Sequence, residues 1–455
     1  MLSADKRTDD IPETKEVYKR LLGIAWPSTV ESVLVSLVSM VDSIMVSSLG
    51  LAAIAAVGIT GQPRMLLLAL ISSLNAGVTA VISRRKGENN REGANHCLRQ
   101  SLLLSIILSA TLSTIGFVFA RPMMLFMGAQ ADIIEDAVIY FKIISVGIFF
   151  TSVSLTLNAA QRGAGNTKIS MRTNVVANVI NVIFNYLLIG GNLGFPKLGV
   201  AGAAIATVLG YIVAFFMSVS TVLKNDAFLS ILGLDGWKFE KTTMAGVLNV
   251  AYSAAFEQLC MRVGFISYSR IIAGLGTIAY ATHQIVMNLL GISFSFGDGL
   301  AIASSSLVGQ SLGQKRPGMA MVFGKVGQRV AITLSLIIIT VCIFGRFFFV
   351  GIFTDDYATI ILGSQLMLVV AATSPVQTSN VVITGCLRGA GDTKFVAQAA
   401  LLTIVIIRPL VAFLLCYTLG FGLVGAWVGM LIDQSIRLVV SYMRFHKGRW
   451  TKIAL

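Results

Sequence analysis

Arg162-Gly-Ala-Gly-Asn-Thr-Lys168 returns later in the chain as Arg388-Gly-Ala-Gly-Asp-Thr-Lys394, and the copies are 388 − 162 = 226 residues apart. The same offset aligns Leu49-Gly50 with Leu275-Gly276, Gly87 with Gly313, Glu31 with Glu257, and Leu193-Gly-Phe195 with Leu419-Gly-Phe421. Beyond that point the register slips by three, because Pro196-Lys-Leu198 has no counterpart. Anchors that share one offset over most of the chain define an internal repeat, each copy about half the protein.

What fills each copy is apolar. Of 455 residues 55% are hydrophobic and 12% charged, with a mean hydropathy of +0.82. A soluble domain carries about 25% charged residues. A hydrocarbon core about 30 Å thick is crossed by roughly 20 helical residues. Continuous apolar runs of that length predict spans near 21–46, 54–83, 98–120, 137–161, 170–191, 199–223, 244–270, 278–308, 320–351, 360–386, 394–418 and 423–443. Transmembrane strands would be about ten residues long with strict alternation, which these runs lack. The expectation is an all-α integral membrane protein of twelve transmembrane helices in two six-helix repeats. The corresponding domains are a cytoplasmic segment 1–20, an N-lobe 21–223, a linker 224–243 with Trp237 along the interface, a C-lobe 244–443 and a cytoplasmic tail 444–455. Six is even, so both lobes point the same way, related by an axis along the membrane normal with a substrate site between them.

The formal net charge of +14 would suggest nucleic acid in a soluble protein, but its distribution points elsewhere. With the N-terminus inside, 27 of the 35 Lys and Arg fall in cytoplasmic segments and four outside, Arg121, Lys197, Arg270 and Arg346. Arg64, Lys142, Arg262 and Arg408 fall within spans. This asymmetry predicts both termini in the cytoplasm, and basic loops that contact anionic lipid rather than nucleic acid. Residues 1–20 are polar, with no short apolar core before a small-residue cleavage site, so no signal peptide is expected. The cysteines at 97, 260, 342, 386 and 416 sit in or beside apolar helices without paired spacing. They read as small hydrophobes, with no metal or disulfide.

The Arg-Gly-Ala-Gly loops are not phosphate-binding loops. Those need Lys-Ser/Thr directly after the last glycine and a preceding strand, whereas Asn166-Thr167 or Asp392-Thr393 intervenes here. They read as tight basic turns in which Gly165 and Gly391 supply positive φ.

Acids inside the spans are functional candidates, since each costs roughly 2.5–3.5 kcal/mol to insert. They are Glu31, Asp42, Glu257, Asp298 and Asp433. Glu31 and Asp42, eleven residues apart, share a face of the first span. Asn174, Asn178, Asn181 and Asn185 line one face of the fifth span, and amide oxygens coordinate hard cations or hold a protonated carboxyl. Plainer roles compete with these. Glu31 could pair with Arg64, and Asp433 with Arg437 at i+4. Glu257 and Arg262, five residues apart, lie about 140° around a helix and should not pair. His283 is expected to be a satisfied core residue before a proton relay.

With its two six-helix repeats, Met40-Val-Asp-Ser-Ile-Met45, the paired Arg-Gly-Ala-Gly loops and Leu307-Val-Gly-Gln-Ser-Leu-Gly313, the chain resembles the multidrug and toxic compound extrusion (MATE) family over residues 15–445. The resemblance implies two six-helix lobes in a V and antiport of mostly cationic organic compounds against H⁺ or Na⁺. It matches Asp42 and Asn181 to the N-lobe cation site, which would be the metal site if Na⁺ is bound, and Glu257 to a C-lobe site. Two positions depart: Asn185 stands where some members have a second acid, and Gln377 where many have an aspartate. The coupling group is therefore read as Asp42, Asn178, Asn181, Asn185 and Glu257. Glu31, Tyr268, His283, Asp298 and Gln377 are candidates for an aromatic, Met-lined substrate cavity. Fewer fixed charges lean the coupling towards H⁺. No catalytic residues and no cofactor are expected, nor any partner beyond the lipid bilayer and small organic substrates, and the location implied is the inner (plasma) membrane, as a monomer. A lipid-linked precursor flippase is the nearest alternative, but it would need a basic cavity. An intramembrane enzyme would need a convergent acid pair or a metal motif, and neither is present in the sequence.

Overall fold

The computed structural model describes residues 12–225, 227–233 and 236–453. Among the described residues twelve long helices follow one another: α1 (Thr14–Ser47), α2 (Leu51–Gly87), α3 (Arg91–Val118), α4 (Ile134–Gly163), α5 (Thr167–Gly190), α6 (Gly199–Val222), α7 (Lys241–Ala273), α8 (Thr277–Gly313), α9 (Pro317–Gly351), α10 (Tyr357–Gly389), α11 (Thr393–Thr418) and α12 (Gly422–Lys447). Each overlaps one predicted span, and most run several residues beyond it. Among the described residues there is no strand. Eleven of these helices are long and apolar enough to cross a membrane. The exception is α7, whose middle carries Ser253, Glu257, Gln258 and Arg262, and whose Ser253 and Glu257 are buried. Polarity turned inward lowers a helix's mean hydropathy without exposing the polar groups to lipid. Outward-facing mid-helix positions are apolar instead, as at Phe216, Ile266 and Phe344, a surface suited to acyl chains.

The repeat is written into the backbone as well as the sequence. Gly50 and Gly276 open α2 and α8 at φ 103° and 101°. Asn89 and Lys315 take the left-handed conformation after α2 and α8, at φ 54° and 58°. Gly165 and Gly391 turn the Arg-Gly-Ala-Gly loops at φ 89° and 88°. All three pairs stand 226 apart, and Gly199 and Gly422, at φ 55° and 54°, stand 422 − 199 = 223 apart, where the three-residue slip places them. Only glycine enters such conformations without a steric penalty.

By contact density the chain forms two compact units, one from the start to Ser32 with Tyr252–Leu455, the other Val33–Ala251. These are not the segments delimited by the sequence repeat, since the divisions fall inside α1 and α7. Within the first unit Val17, Leu21 and Ala25 of α1 pack in one core with Leu300, Phe323 and Val382. Within the second, Met244 and Val247 of α7 pack with Leu74, Val78 and Leu98. Segment 224–243 is strapped to the start of α3: Arg91 donates to the Ala227 carbonyl at 2.7 Å, Arg99 to that of Leu232 at 2.7 Å, and the Ser230 amide donates to Asn95 at 2.9 Å. Trp237 donates to the Gly233 carbonyl at 3.0 Å within this segment.

The α11 helix is irregular. Its turns widen at Leu401–Ile407 and Leu414–Thr418, where the Arg408 amide reaches back five residues to the Thr403 carbonyl. Pro409, which has no N–H to give, lies between them. Such single-turn widenings recur at functional sites, and here they flank the intramembrane Arg408.

The close helix contacts give a sharp test. A Cβ on Gly389 would sit 2.1 Å from the Ser305 carbonyl oxygen, and one on Gly163 2.9 Å from that of Thr79, the repeat counterpart. Gly389→Ala is expected to destabilise the purified protein by about 2–3 kcal/mol, the upper end for overpacking. Gly163→Ala should cost less. Thermal unfolding in detergent reads both, and equal melting temperatures for Gly389→Ala and wild type would contradict this packing.

Candidate functional site

Within the Val33–Ala251 unit, the amide stripe of α5 meets the acid of α1. Asp42 is half-buried, Asn181 and Asn185 almost fully buried. The Asn185 amide donates to Asp42 Oδ1 at 2.7 Å. With its nitrogen turned to the acid, Asn181 donates to Asp42 Oδ1 at 2.8 Å and Oδ2 at 3.2 Å, while its oxygen accepts from the Thr207 hydroxyl at 3.2 Å. The two asparagines are one turn apart, so a single helical face presents both amides to one carboxylate. Asn178, grouped with them from the sequence, stays half-buried and makes no hydrogen bond to Asp42. Asn185 Oδ1 is buried without a partner, an acceptor left beside the carboxylate. Arg64 lies on α2 within the same unit. Its guanidinium donates to the Tyr211 hydroxyl and lies within electrostatic reach of Asp42.

In the other unit the acids are held by arginines. Both oxygens of Glu257 accept from Arg388, the first residue of the second Arg-Gly-Ala-Gly loop. Arg388 also acts electrostatically on Asp298, whose side chain is exposed. Asp433 makes the i+4 pair with Arg437 at 3.1 Å, but its nearer partner is Arg408, at 2.6 and 2.8 Å, with the side chains of Arg408 and Asp433 2% and 0% exposed. Gln377 is buried, with its oxygen unpartnered, and Glu31 is buried.

Tyr268 and His283, candidates for the substrate cavity, are both buried, the placement expected of His283 as a core residue. They are 0% and 3% exposed, enclosed in a core with Trp427 and Leu290. For Tyr268 the sequence does carry a signal. The repeat offset carries Asp42 to 42 + 226 = 268, and carries Asn181 and Asn185 to Ile407 and Val411. The second copy thus replaces the acid and its two amides with a tyrosine and two aliphatic residues.

A bundle of long lipid-facing helices enclosing ion pairs and an amide-bound acid defines a multi-pass membrane protein. The sequence model of the MatE family matches residues 27–187 and 253–414, more than half of the chain, in stretches that begin 253 − 27 = 226 apart. The chain therefore belongs to the MatE family, the multidrug and toxic compound extrusion transporters. It is 28% identical over 450 residues to the probable multidrug resistance protein NorM of Thermotoga maritima, covering 97% of this chain and 95% of that one. It is 26% identical to the uncharacterized transporter YisQ of Bacillus subtilis, covering 94% of each. Among solved structures, a MATE protein in the straight conformation superposes with a TM-score of 0.87 at 22% identity, covering 95% of this chain and 97% of that one. A MOP superfamily transporter from Pyrococcus furiosus gives a TM-score of 0.89 at 20% identity over 98% of this chain and all of that one. These establish the twelve-helix, two-lobe fold.

Two consequences follow from the site geometry. Asn181→Ala and Asn185→Ala each remove a hydrogen bond to a carboxylate, about 1.5–3 kcal/mol, so either should impair gradient-driven transport. Asp42→Asn should reduce it to that of empty liposomes while the protein elutes and melts as wild type does. Wild-type efflux by Asp42→Asn would remove Asp42 from the mechanism. Separately, Arg408→Gln should destabilise the fold by about 3 kcal/mol, because it strips a buried pair. Arg85→Gln, which breaks the surface pair with Glu88, should cost under about 1 kcal/mol. Similar melting temperatures for the two variants would contradict this ranking.

Proposed function

We propose that this protein is a secondary multidrug efflux antiporter that exports mostly cationic organic compounds in exchange for protons. The observation that carries the reading is the Asp42 carboxylate, gripped by the Asn181 and Asn185 amides on one helical face. The names of its relatives, probable multidrug resistance proteins among them, agree with the substrate class.

Asp42 is the group that changes charge during the cycle. A hard cation such as Na⁺ needs several oxygens around it, whereas this site offers one carboxylate and the Asn185 oxygen, with two amide N–H groups turned to the acid. Burial penalises the charged form of a carboxyl, and a proton removes that charge with no further ligands. Among the described residues no three His, Cys, Asp or Glu side chains gather into a metal site. Glu257, committed to Arg388, is less available for an ion than Asp42. Transport proceeds by alternating access of the two repeats, with proton occupancy of Asp42 biasing the two states. Both termini lie in the cytoplasm, following the 27-to-4 asymmetry of basic residues.

Two measurements check this. In proteoliposomes, an imposed pH gradient without Na⁺ should drive efflux of a cationic dye. A Na⁺ gradient at clamped pH should not, and the reverse pattern would replace the proton by Na⁺. For the topology, a cysteine introduced at Lys447, exposed at the end of α12, should resist an impermeant thiol reagent in intact cells and react after permeabilisation. Labelling in intact cells would invert the orientation.

A further inference from the structure

The α8 helix is covered on nearly every side. Past its first turn, the exposed members among its described residues are Ala281, Gln284, Asn288 and Asp298. At 3.6 residues per turn these fall within one arc of about 100°, and three of the four are polar. A helix that touches acyl chains shows the opposite, as α9 does at Ile332, Leu336, Val341 and Phe344. An acid facing hydrocarbon costs roughly 2.5–3.5 kcal/mol, so charged side chains inside a span turn to protein or to a water-filled cavity. The stripe therefore borders water. The repeat carries the same exposure, since 226 residues earlier Ala55, Gly58, Gln62 and Ser72 of α2 are exposed too. Of the two stripes, only that of α8 bears a charge.

That charge is Asp298, which lies 298 − 277 = 21 residues from the start of α8 and 313 − 298 = 15 from its end, deep in the span. The glycines on either side of it let neighbouring helices close in. A Cβ on Gly297 would touch Thr378 of α10 at 3.5 Å, and one on Gly299 would collide with Thr29 of α1. Close packing on both flanks fixes where the carboxylate sits. It is also held differently from Glu257 and Asp433. Both oxygens of Glu257 accept from Arg388, and Asp433 is paired with Arg408 and Arg437. Asp298 accepts no hydrogen bond and joins no salt bridge among the described residues, and Arg388 reaches it only electrostatically.

An exposed carboxylate without a bonded counter-ion attracts a cation, and its surroundings narrow which. A hard ion needs several oxygens, and the stripe supplies few. Ser295, one turn back, is buried and donates to the Gly291 carbonyl at 3.1 Å. Ile302, one turn on, is aliphatic, and Asn288 is ten residues away, about 15 Å along the axis. Delocalised charge is weakly hydrated, so a bulky organic cation needs one counter-charge beside a polar wall rather than a full shell of ligands. Arg388 does not contest that guest, because its own hydrogen bonds go to Glu257.

From this we infer that Asp298 is the counter-charge for the cationic group of the exported compound, which it seats on the polar stripe of α8, and that it sets the preference for cations. The inference rests on the cationic substrate class proposed above and not on the choice of coupling ion.

Equilibrium binding of ethidium, rhodamine 6G and tetraphenylphosphonium to the purified full chain, with no gradient present, tests it. Asp298→Asn should weaken binding of all three at least about tenfold, the effect of losing a contact with an ionised group. Asp298→Glu should restore most of the loss, and Asp298→Asn should melt as wild type does. Wild-type affinity in Asp298→Asn, or a loss that Asp298→Glu does not restore, would overturn the inference while leaving the substrate class intact. Wild type that binds none of the three cations would overturn the substrate class and this inference with it. Access is read separately. The five native cysteines are buried, so an introduced cysteine reports alone. Asn288→Cys and Asp298→Cys should react with a water-soluble cationic thiol reagent, and Phe344→Cys, on the acyl-facing side of α9, should not. Failure of both stripe positions to react would close the stripe to water and overturn the inference.

Discussion

The cost of charge in a low-dielectric interior orders this molecule. Two acids within its spans, Glu257 and Asp433, are neutralised by arginines, and Arg444 does the same for Asp392 near the end of α12. Breaking one buried pair leaves a stranded charge, at about 3–5 kcal/mol. Such pairs are therefore poor switches and good fasteners. Asp42 is held differently. Its hydrogen bonds come from neutral amides, with Arg64 at a distance, so its charge can change without abandoning a committed counter-ion. One copy of the repeat thus holds an amide-bound carboxylate where the other has Tyr268 and a fastened Arg408–Asp433 pair.

The helices supply the precision this needs. Asn181 and Asn185 reach one carboxylate because α5 is regular across that turn, and Gly210 of α6 approaches it closely enough that a Cβ would lie 2.8 Å from the Ala177 carbonyl oxygen. The counterpart of α5, α11, is widened on both sides of Arg408. A repeat with matching turns has thus been tuned to different chemistry by what sits on equivalent helical faces.

Much of this was legible in the sequence. Apolar length alone placed the twelve helices, since a spanning helix satisfies its own backbone. The 226-residue offset anticipated the matched left-handed turns at Gly165 and Gly391, because both copies must make the same turn. Asp42 and Asn181 stood out by their polarity and spacing, and a hydrogen bond joins them. The pairing of Glu257 with Arg388 was not legible, because it joins residues 131 apart across a tertiary contact with no local signature. Arg388 also counted as a loop cation. Tyr268 and His283 could not be placed, because aromatic residues suit a cavity wall and a packed core equally well in composition. Only burial separates the two roles. The divisions inside α1 and α7 follow packing at the starts of those helices, which no composition shift marks.

The central claim is that Asp42 exchanges a proton for substrate. It is tested most directly by proton release from the purified protein in weakly buffered detergent solution as a cationic substrate is added. The account predicts about one proton released per substrate bound, with the release abolished in Asp42→Asn. Substrate binding without proton release, or the same release from Asp42→Asn, would contradict it.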